Sequence, residues 1–319
     1  MAAQHERMGY RSGDRLLIVN ADDYGMCQTF NTAAQQLLLR QAISSATLMV
    51  PCPWAKGAAD FCKEHPEVDV GIHLTFTSEW THYKWGPVTR ANPMDSLRTV
   101  EGWFHADNAG FQKNADAAEV RQEIFSQIER AIAWGVDPTH LDVHMYSLLG
   151  LATGRDFLEP VFEACGRYGL PLRLPRSWAT RPGFSDVQTK LMRRRIDMAE
   201  ERGIALVDEH LGLDFFYTDG ETYEQAVNQM SAILRSLKPG ISEILVHAGH
   251  VTDELRSIMP HDFPKRDMEA RLFLDDRIQQ LLAAEGIRLI RWRELRDYQR
   301  KRADHRIPAA PIAGLVPGH

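Results

Sequence analysis

Four groups of ionisable side chains stand where apolar runs end. Leu16-Leu17-Ile18-Val19 runs into Asn20-Ala21-Asp22-Asp23-Tyr24-Gly25, and Gly71-Ile72 into His73-Leu74. His140, Asp142 and His144 alternate with Leu141 and Val143, and Glu243-Ile244-Leu245-Val246 ends in His247-Ala248-Gly249-His250. Two adjacent carboxylates repel each other. A divalent cation would relieve that by taking one as a ligand and leaving the other free as a base. The plainer alternative, an Asx turn or a helix N-cap, explains one aspartate more easily than both. His140, Asp142 and His144 share strand period two, so one face carries all three and must be wet, internally hydrogen-bonded or metal-bound. His144, nearest the strand end, is the best ligand candidate; Asp142 suits an orienting partner, and His140 lies deeper and could be structural. One aspartate (Asp23) with His73 and His144 would leave open positions for water on a catalytic ion. His247 suits proton transfer, and His250 the rim. Arg173, inside Leu172-Arg173-Leu174-Pro175-Arg176, either holds Asp22, binds an anionic group, or is a surface arginine beside Arg176.

The elements that must position these residues alternate regularly. Apolar, β-branched runs at 16–20, 46–50, 68–73, 139–144, 172–174, 204–207, 243–246 and 287–290 read as strands. Amphipathic stretches at 29–40, 53–63, 118–134, 157–168, 187–201, 223–237 and 267–285 read as helices. In 118–134, Val120, Ile124, Ile128, Ala131 and Ile132 form one stripe expected to be buried. Gly135, Gly169, Gly203 and Gly286 sit where helix C-terminal caps belong. Strand–helix alternation implies parallel strands with right-handed crossovers, and sites at the carboxyl ends of the strands. The expected fold is α/β, a single (β/α) barrel of seven or eight strands with room for an irregular unit; an open doubly wound sheet is the competitor. One domain is expected over 1–301, followed by a Pro-rich tail over 302–319. Residues 76–117 form a long aromatic insertion, a candidate lid in which Trp80 and Trp85 are offered to substrate.

Composition narrows the function classes. The chain has 319 residues, 37 Lys+Arg against 43 Asp+Glu, and a net charge of −6. Mild acidity argues against nucleic-acid binding. Apolar residues at 44% and a length that can bury roughly 75% of the unfolded surface indicate a self-sufficient core. No run approaches the ~20 apolar residues of a membrane span, and the first fifteen residues lack a secretory pattern. The four cysteines show no CxxC spacing and read as buried reduced thiols. A cytoplasmic enzyme is expected, with room for a homodimer through the insertion or the tail.

The ordered set Val19-Asn20-Ala21-Asp22-Asp23-Tyr24-Gly25, Gly71-Ile72-His73-Leu74-Thr75, Thr139-His140-Leu141-Asp142-Val143-His144 and Val246-His247-Ala248-Gly249-His250-Val251-Thr252-Asp253-Glu254-Leu255 resembles the YdjC-like (ChbG-type) carbohydrate deacetylases over about 14–298. The resemblance implies a deacetylase-type barrel, one divalent metal and hydrolysis of the N-acetyl group of amino sugars or chito-oligosaccharides. It implies Asp23, His73 and His144 as ligands, Asp22 as base and His247 as acid. The family's usual description names magnesium, while two imidazoles and a carboxylate suit zinc, cobalt, nickel or iron by ligand preference, so a divalent ion, magnesium or zinc first, is expected. The chain departs from the family pattern after His144, where Met145, Tyr146, Ser147 and Leu148 replace further histidines, and at Ala248, where proline is common. Two rival readings stay open: a metal-dependent phosphoesterase on a similar barrel, with Arg173 and Arg176 as its clamp, and a non-catalytic carbohydrate-binding protein.

Overall fold

The computed structural model describes residues 2–90 and 92–303. Its strands are β1 (Arg15–Tyr24), β2 (Ser45–Leu48), β3 (Val70–Leu74), β4 (Leu141–Val143), β5 (Glu209–Leu211), β6 (Gly240–Val246) and β7 (Ile287–Leu289). Every named pair is parallel, in the order β4-β3-β2-β1-β6-β5, with β7 on the first three residues of β1. The two outer edges then meet. Leu172 bridges Leu141 of β4 on one side and Leu206, just ahead of β5, on the other. Leu141 N donates to Pro171 O, Arg173 N to Leu141 O and Leu172 N to Ala205 O. The sheet is therefore curled into the expected (β/α) barrel, and an open doubly wound sheet is excluded.

Alternation along the strands divides the barrel's interior from its helical coat. On β1, Leu17, Val19 and Ala21 join the large outer core, whereas Leu16 and Ile18 pack with Ile241 and Trp292 as an apolar floor. Asn20 and Asp22 continue the inward row toward the mouth. β6 repeats the scheme with Ile241 on the floor, Glu243 above it and Ile244 and Val246 in the outer core. Parity alone thus stacks polar groups above an apolar plug.

The helices form for local reasons. Ala117–Ala133 starts at Asp116, whose carboxylate accepts from Ala118 N and Glu119 N. Val120, Ile124, Ile128 and Ala131 are buried, but Ile132, expected in the same stripe, is 37% exposed at the edge of the face. The stretch 267–285 is not one helix: Phe263–Leu272 and Asp276–Ala284 are separate, and Asp275 caps the second. The strands expected at 172–174 and 204–207 appear only as single bridges. Pro171 and Pro175 flank the first, and proline cannot donate to a ladder. β5 falls instead on the polar Glu209-His210-Leu211. Cys27, Cys52, Cys62 and Cys165 are buried free thiols. No helix among the described residues is long and apolar enough to cross a membrane. Of the Pro-rich tail, residues 302 and 303 belong to the helix Trp292–Ala303, and 304–319 lie outside the described residues.

Four aromatic residues of the insertion 76–117 pack inward. Phe76, Trp85, Phe104 and Phe111 are buried in the core, with the Phe76 ring tilted against both Phe104 (5.8 Å) and Phe111 (5.3 Å). Its short helix Asn108–Asn114 packs on the turn 144–149, through Asn108 Nδ2 donating to Met145 O and Gln112 Nε2 to Ser147 O. It buttresses the end of β4.

Candidate active site

Neighbouring residues on a strand point to opposite faces, so Asp22 and Asp23 need a special backbone to serve one cavity. β1 supplies it. The β1–β2 register shifts between Ala21 and Tyr24, and Asp23 adopts φ 61°, the left-handed region. An irregularity of this kind re-aims a side chain, and aspartate tolerates the left-handed well better than most residues. Both carboxylates line the same cavity, together with His73, His144 and His247.

Asp23, His73 and His144 converge there although they lie far apart in sequence. Asp23 Oδ1 is 3.4 Å from His73 Nε2 and 3.2 Å from His144 Nδ1, and the two imidazole nitrogens are 3.3 Å apart. All three side chains are buried. The far side of each ring faces a carboxylate: His73 Nδ1 lies 2.6 Å from Asp142 Oδ1 and His144 Nε2 lies 3.1 Å from Glu79 Oε2. An ionised carboxylate only accepts, so in the neutral ring, the form that can ligate an ion, each outer nitrogen carries the proton and each inner nitrogen presents a lone pair. Asp23 Oδ1 is buried without an aligned hydrogen-bond donor among the described residues. Three electron-rich atoms thus crowd together, an arrangement that calls for positive charge at its centre. Ligands about 2.0–2.2 Å from one ion sit about 3.3–3.6 Å apart at tetrahedral corners, close to the observed spacing. The residues fit a divalent cation. The ionisation equilibria express the same demand: burial opposes charge on His73, but Asp142, Asp23 and Asp22 override it and raise the imidazole to about 9.

Asp22 stands outside the three-residue cluster and is held by Arg173. Arg173 Nη1 donates to Asp22 Oδ2 and Nη2 to Asp22 Oδ1, both at 2.7 Å. The same guanidinium donates through Nε to Glu243 Oε2 (2.7 Å) and through Nη2 to Glu243 Oε1 (3.1 Å), and Nη1 lies 2.7 Å from Asp142 Oδ2. Burial would raise the Asp22 carboxyl, but Arg173 holds it well below the usual range. Asn20 Nδ2 adds a further hydrogen bond to Asp22 Oδ1 (2.8 Å). Of the three readings of Arg173, the one that ties it to Asp22 matches the structure. Asp142 links the two halves, since one oxygen faces His73 and the other Arg173.

Other candidates are distributed unevenly. His247, at the end of β6, borders the cavity with Phe215 edge-on at 4.9 Å and Glu269 Oε1 3.8 Å from its Nδ1. His140 is on the floor, stacked on Trp292 (4.4 Å, 9°), and burial pushes its imidazole down to about 4, so it is a neutral packing group. His250 turns to Gln36 instead (Nε2 to Oε1, 3.0 Å). Trp85 cannot offer its face to a ligand: it is 2% exposed, donates to Thr77 O and stands edge-on behind His144 at 6.3 Å. Trp80 lies in a separate surface cleft with Tyr83, Ser257 and Pro260. Arg176 is occupied by Glu200, Asp208 and Gln4, which removes half of the clamp that a phosphoesterase would need.

Glu79, His210, Phe215 and Phe216 are among the residues at the site that escaped sequence reasoning. Glu79 sits in the insertion with no spacing to mark it. His210, Phe215 and Phe216 follow the run 204–207, and the strand-end rule applied there would have marked His210. The cavity has a volume of about 530 Å³. Its floor is the ionised cluster, and its walls include Leu211, Leu213, Phe215, Phe216 and Tyr146.

Comparison with known proteins agrees with this picture. The chain is 27% identical over 275 residues to a carbohydrate deacetylase of Thermoanaerobacter pseudethanolicus, covering 86% of this chain and 97% of the relative. It is 28% identical over 299 residues to a carbohydrate deacetylase of Thermus thermophilus, covering 92% and 97%. A chitooligosaccharide deacetylase of Yersinia enterocolitica is 31% identical over 178 residues, 54% of this chain and 64% of that protein. The crystal structure of a putative cellobiose-phosphate cleavage protein from Enterococcus faecalis superposes with a TM-score of 0.69 at 21% identity, over 88% of this chain and 99% of the other, and shows the same fold. The sequence pattern of the YdjC-like proteins matches residues 16–284, the whole of the barrel up to its last strand, and the chain belongs to that family.

Proposed function

We propose that this protein is a metal-dependent hydrolase that removes the N-acetyl group of an acetylated amino sugar or chito-oligosaccharide. The observation that carries the reading is the meeting of Asp23 Oδ1, His73 Nε2 and His144 Nδ1 within 3.4 Å, beside Asp22 in one cavity. Asp23, His73 and His144 would hold the ion. Two imidazoles and one carboxylate favour zinc and its neighbours over magnesium, which prefers oxygen throughout. A bound divalent ion supplies electrophilic polarisation of the acetamide carbonyl and a lowered pKa for water.

The remaining work falls to the chain's own groups. Asp22 takes a proton from the attacking water. Because Arg173 holds both its oxygens, the proton is weakly kept and readily given up. His247, when protonated, donates to the leaving amine nitrogen, so that amide and water become acetate and a free amino sugar. Asp142 and Glu79 hold His73 and His144 with the inner nitrogens unprotonated. Phe216, 68% exposed at the rim, offers an apolar face to a pyranose ring. The acetylated-sugar substrate and the amide bond rest on the relatives named above, and metal-assisted hydrolysis on the site.

The test is mass spectrometry of N-acetylglucosamine oligomers incubated with the zinc- or cobalt-loaded protein. Loss of one acetyl group is expected, and Asp22→Asn and His144→Ala should abolish it. Full turnover in either variant would sink the reading. Hydrolysis of p-nitrophenyl phosphate in place of the amide would favour the phosphoesterase.

A further inference from the structure

A second chain of polar groups, one hydrogen bond and one ion-pair contact, reaches the cavity and has no part in the scheme above. Tyr146 Oη lies 2.9 Å from His210 Nε2, and His210 Nδ1 lies 3.3 Å from Glu243 Oε2. Glu243 is buried on β6, is ionised, and is the carboxylate that shares Arg173 with Asp22. Trp292 Nε1 donates to its other oxygen (2.9 Å). Tyr146 and His210 both line the cavity that holds Asp22, Asp23 and His144.

The backbone is bent to place Tyr146 there. Met145 (φ 53°, ψ 15°) and Tyr146 (φ 54°, ψ 27°) are successive left-handed residues, neither of them glycine. Such residues cost of order 1–3 kcal/mol each and persist where the surroundings over-determine them. The bend follows the end of β4, and His144 and Tyr146, two positions apart, both line the cavity. The buried indole of Trp178 then stands edge-on to Tyr146 (5.0 Å, 74°) and to His210 (6.2 Å, 71°), fixing both rings.

The polarity of the chain follows from its inner end. Glu243 is an anion that can only accept and lies 3.3 Å from Nδ1, so with a single ring proton on His210 its charge favours that proton on Nδ1 over Nε2. Nε2 is then an acceptor, and the Tyr146 hydroxyl donates inward to it. What Tyr146 turns to the cavity is lone-pair density. We infer that Tyr146 is a substrate-binding residue of this chain, locked by His210 and Glu243 as a hydrogen-bond acceptor that selects a substrate with an N–H or O–H donor beside the scissile group. The inference rests on the deacetylase reading for its substrate, but not for its polarity.

Two measurements decide it. Nitrogen NMR of the metal-loaded protein should show His210 with a protonated Nδ1 and an unprotonated Nε2. A proton on Nε2, or on both nitrogens, makes Tyr146 a donor and overturns the inference whatever the activity. Tyr146→Phe should keep its metal content and melting temperature and lose about tenfold in kcat/KM on the N-acetylated sugar, mostly through KM. Wild-type enzyme should discriminate by a similar factor against an analogue lacking the donor, and the variant should not. An N-methylated acetamide tests the amide N–H, and deoxy sugars test the hydroxyls. Equal discrimination by wild type and variant against every analogue also overturns it. If the wild type turns over no acetylated sugar at all, the function reading fails, while the His210 tautomer still decides the polarity of Tyr146.

Discussion

Arg173→Met removes the one guanidinium that sits among three buried carboxylates while keeping most of the stem's volume. Asp22, Asp142 and Glu243 each lie 2.7 Å from it, and Asp142 and Glu243 are 0% exposed. Stripping one partner from a buried ion pair costs about 3–5 kcal/mol, because the remaining charge is left without water or counterion. The variant can escape by protonating a carboxyl group. For Glu243, at an ordinary value of 4.5, this costs about 3.4 kcal/mol at pH 7, at 1.36 kcal/mol per pH unit, and about 0.7 at pH 5. Both routes give a loss of about 3–4 kcal/mol at neutral pH. At about 2 °C per kcal/mol for a chain of this size, the melting temperature should fall by about 6–8 °C.

The pH dependence carries the sign. In the wild type, burial opposes the Glu243 charge, but Arg173 and His210 lower the carboxyl to about 2. Its stabilisation is therefore complete above pH 4.5 and disappears between 4.5 and 2. In the variant the burial effect is left unopposed by Arg173, the folded value rises above 4.5, and the penalty shrinks as pH falls toward it. Thermal unfolding of both proteins by circular dichroism from pH 8 to pH 5 should show the gap closing in acid. A gap below about 1 kcal/mol at pH 7, or one that does not change with pH, would refute the claim that Arg173 neutralises this cluster.

Chelation should remove about one divalent ion per chain, and Asp23→Ala should abolish its uptake, as read by elemental analysis; retained stoichiometry counts against the three-residue site. Glu79→Ala should weaken metal binding by about 10- to 100-fold in calorimetry, with Glu79→Gln in between, since the carboxylate holds His144 by its outer nitrogen. Gly71→Ala places a Cβ 2.5 Å from His140 Cε1 and Nδ1, so the stacked ring must move; a loss of about 1–3 kcal/mol in denaturant unfolding is expected. Phe216→Ala, on an exposed ring, should leave stability within about 0.5 kcal/mol and raise KM for the acetylated sugar about three- to tenfold.

Much of this site could be read before any coordinates. The rule that parallel sheets carry their chemistry at carboxyl ends brings out Asp22, Asp23, His73, His144 and His247 without knowledge of their neighbours, although parity alone would send Asp22 and Asp23 to opposite faces. The same parity predicts that Asp142 shares a face with His144, and the alternation of apolar runs with amphipathic stretches predicts the barrel. These are local signals, written within a few residues of each position. Where the local signal is weak, sequence reasoning misplaces the element: Pro171 and Pro175 reduce the expected fifth strand to a bridge, and the polar Glu209-His210-Leu211 pairs as a strand because β6 offers it a free edge.

What tertiary structure alone decides is who faces whom. The tryptophans of the insertion have the composition of a sugar platform, yet Trp85 is sealed behind His144 and the aromatic wall comes from Phe215 and Phe216 on another loop. Asp22 reads in sequence as a spare base and is in fact held from both sides by Arg173, 151 residues away. Glu79 has no motif at all, and only folding brings it to the outer nitrogen of His144. Periodicity along one segment determines which face a side chain takes, because the backbone repeats. The partner across the barrel depends on closure of the sheet, on a bulge at Asp23 and on a left-handed turn at Tyr146, and these are settled by packing among segments distant in the chain.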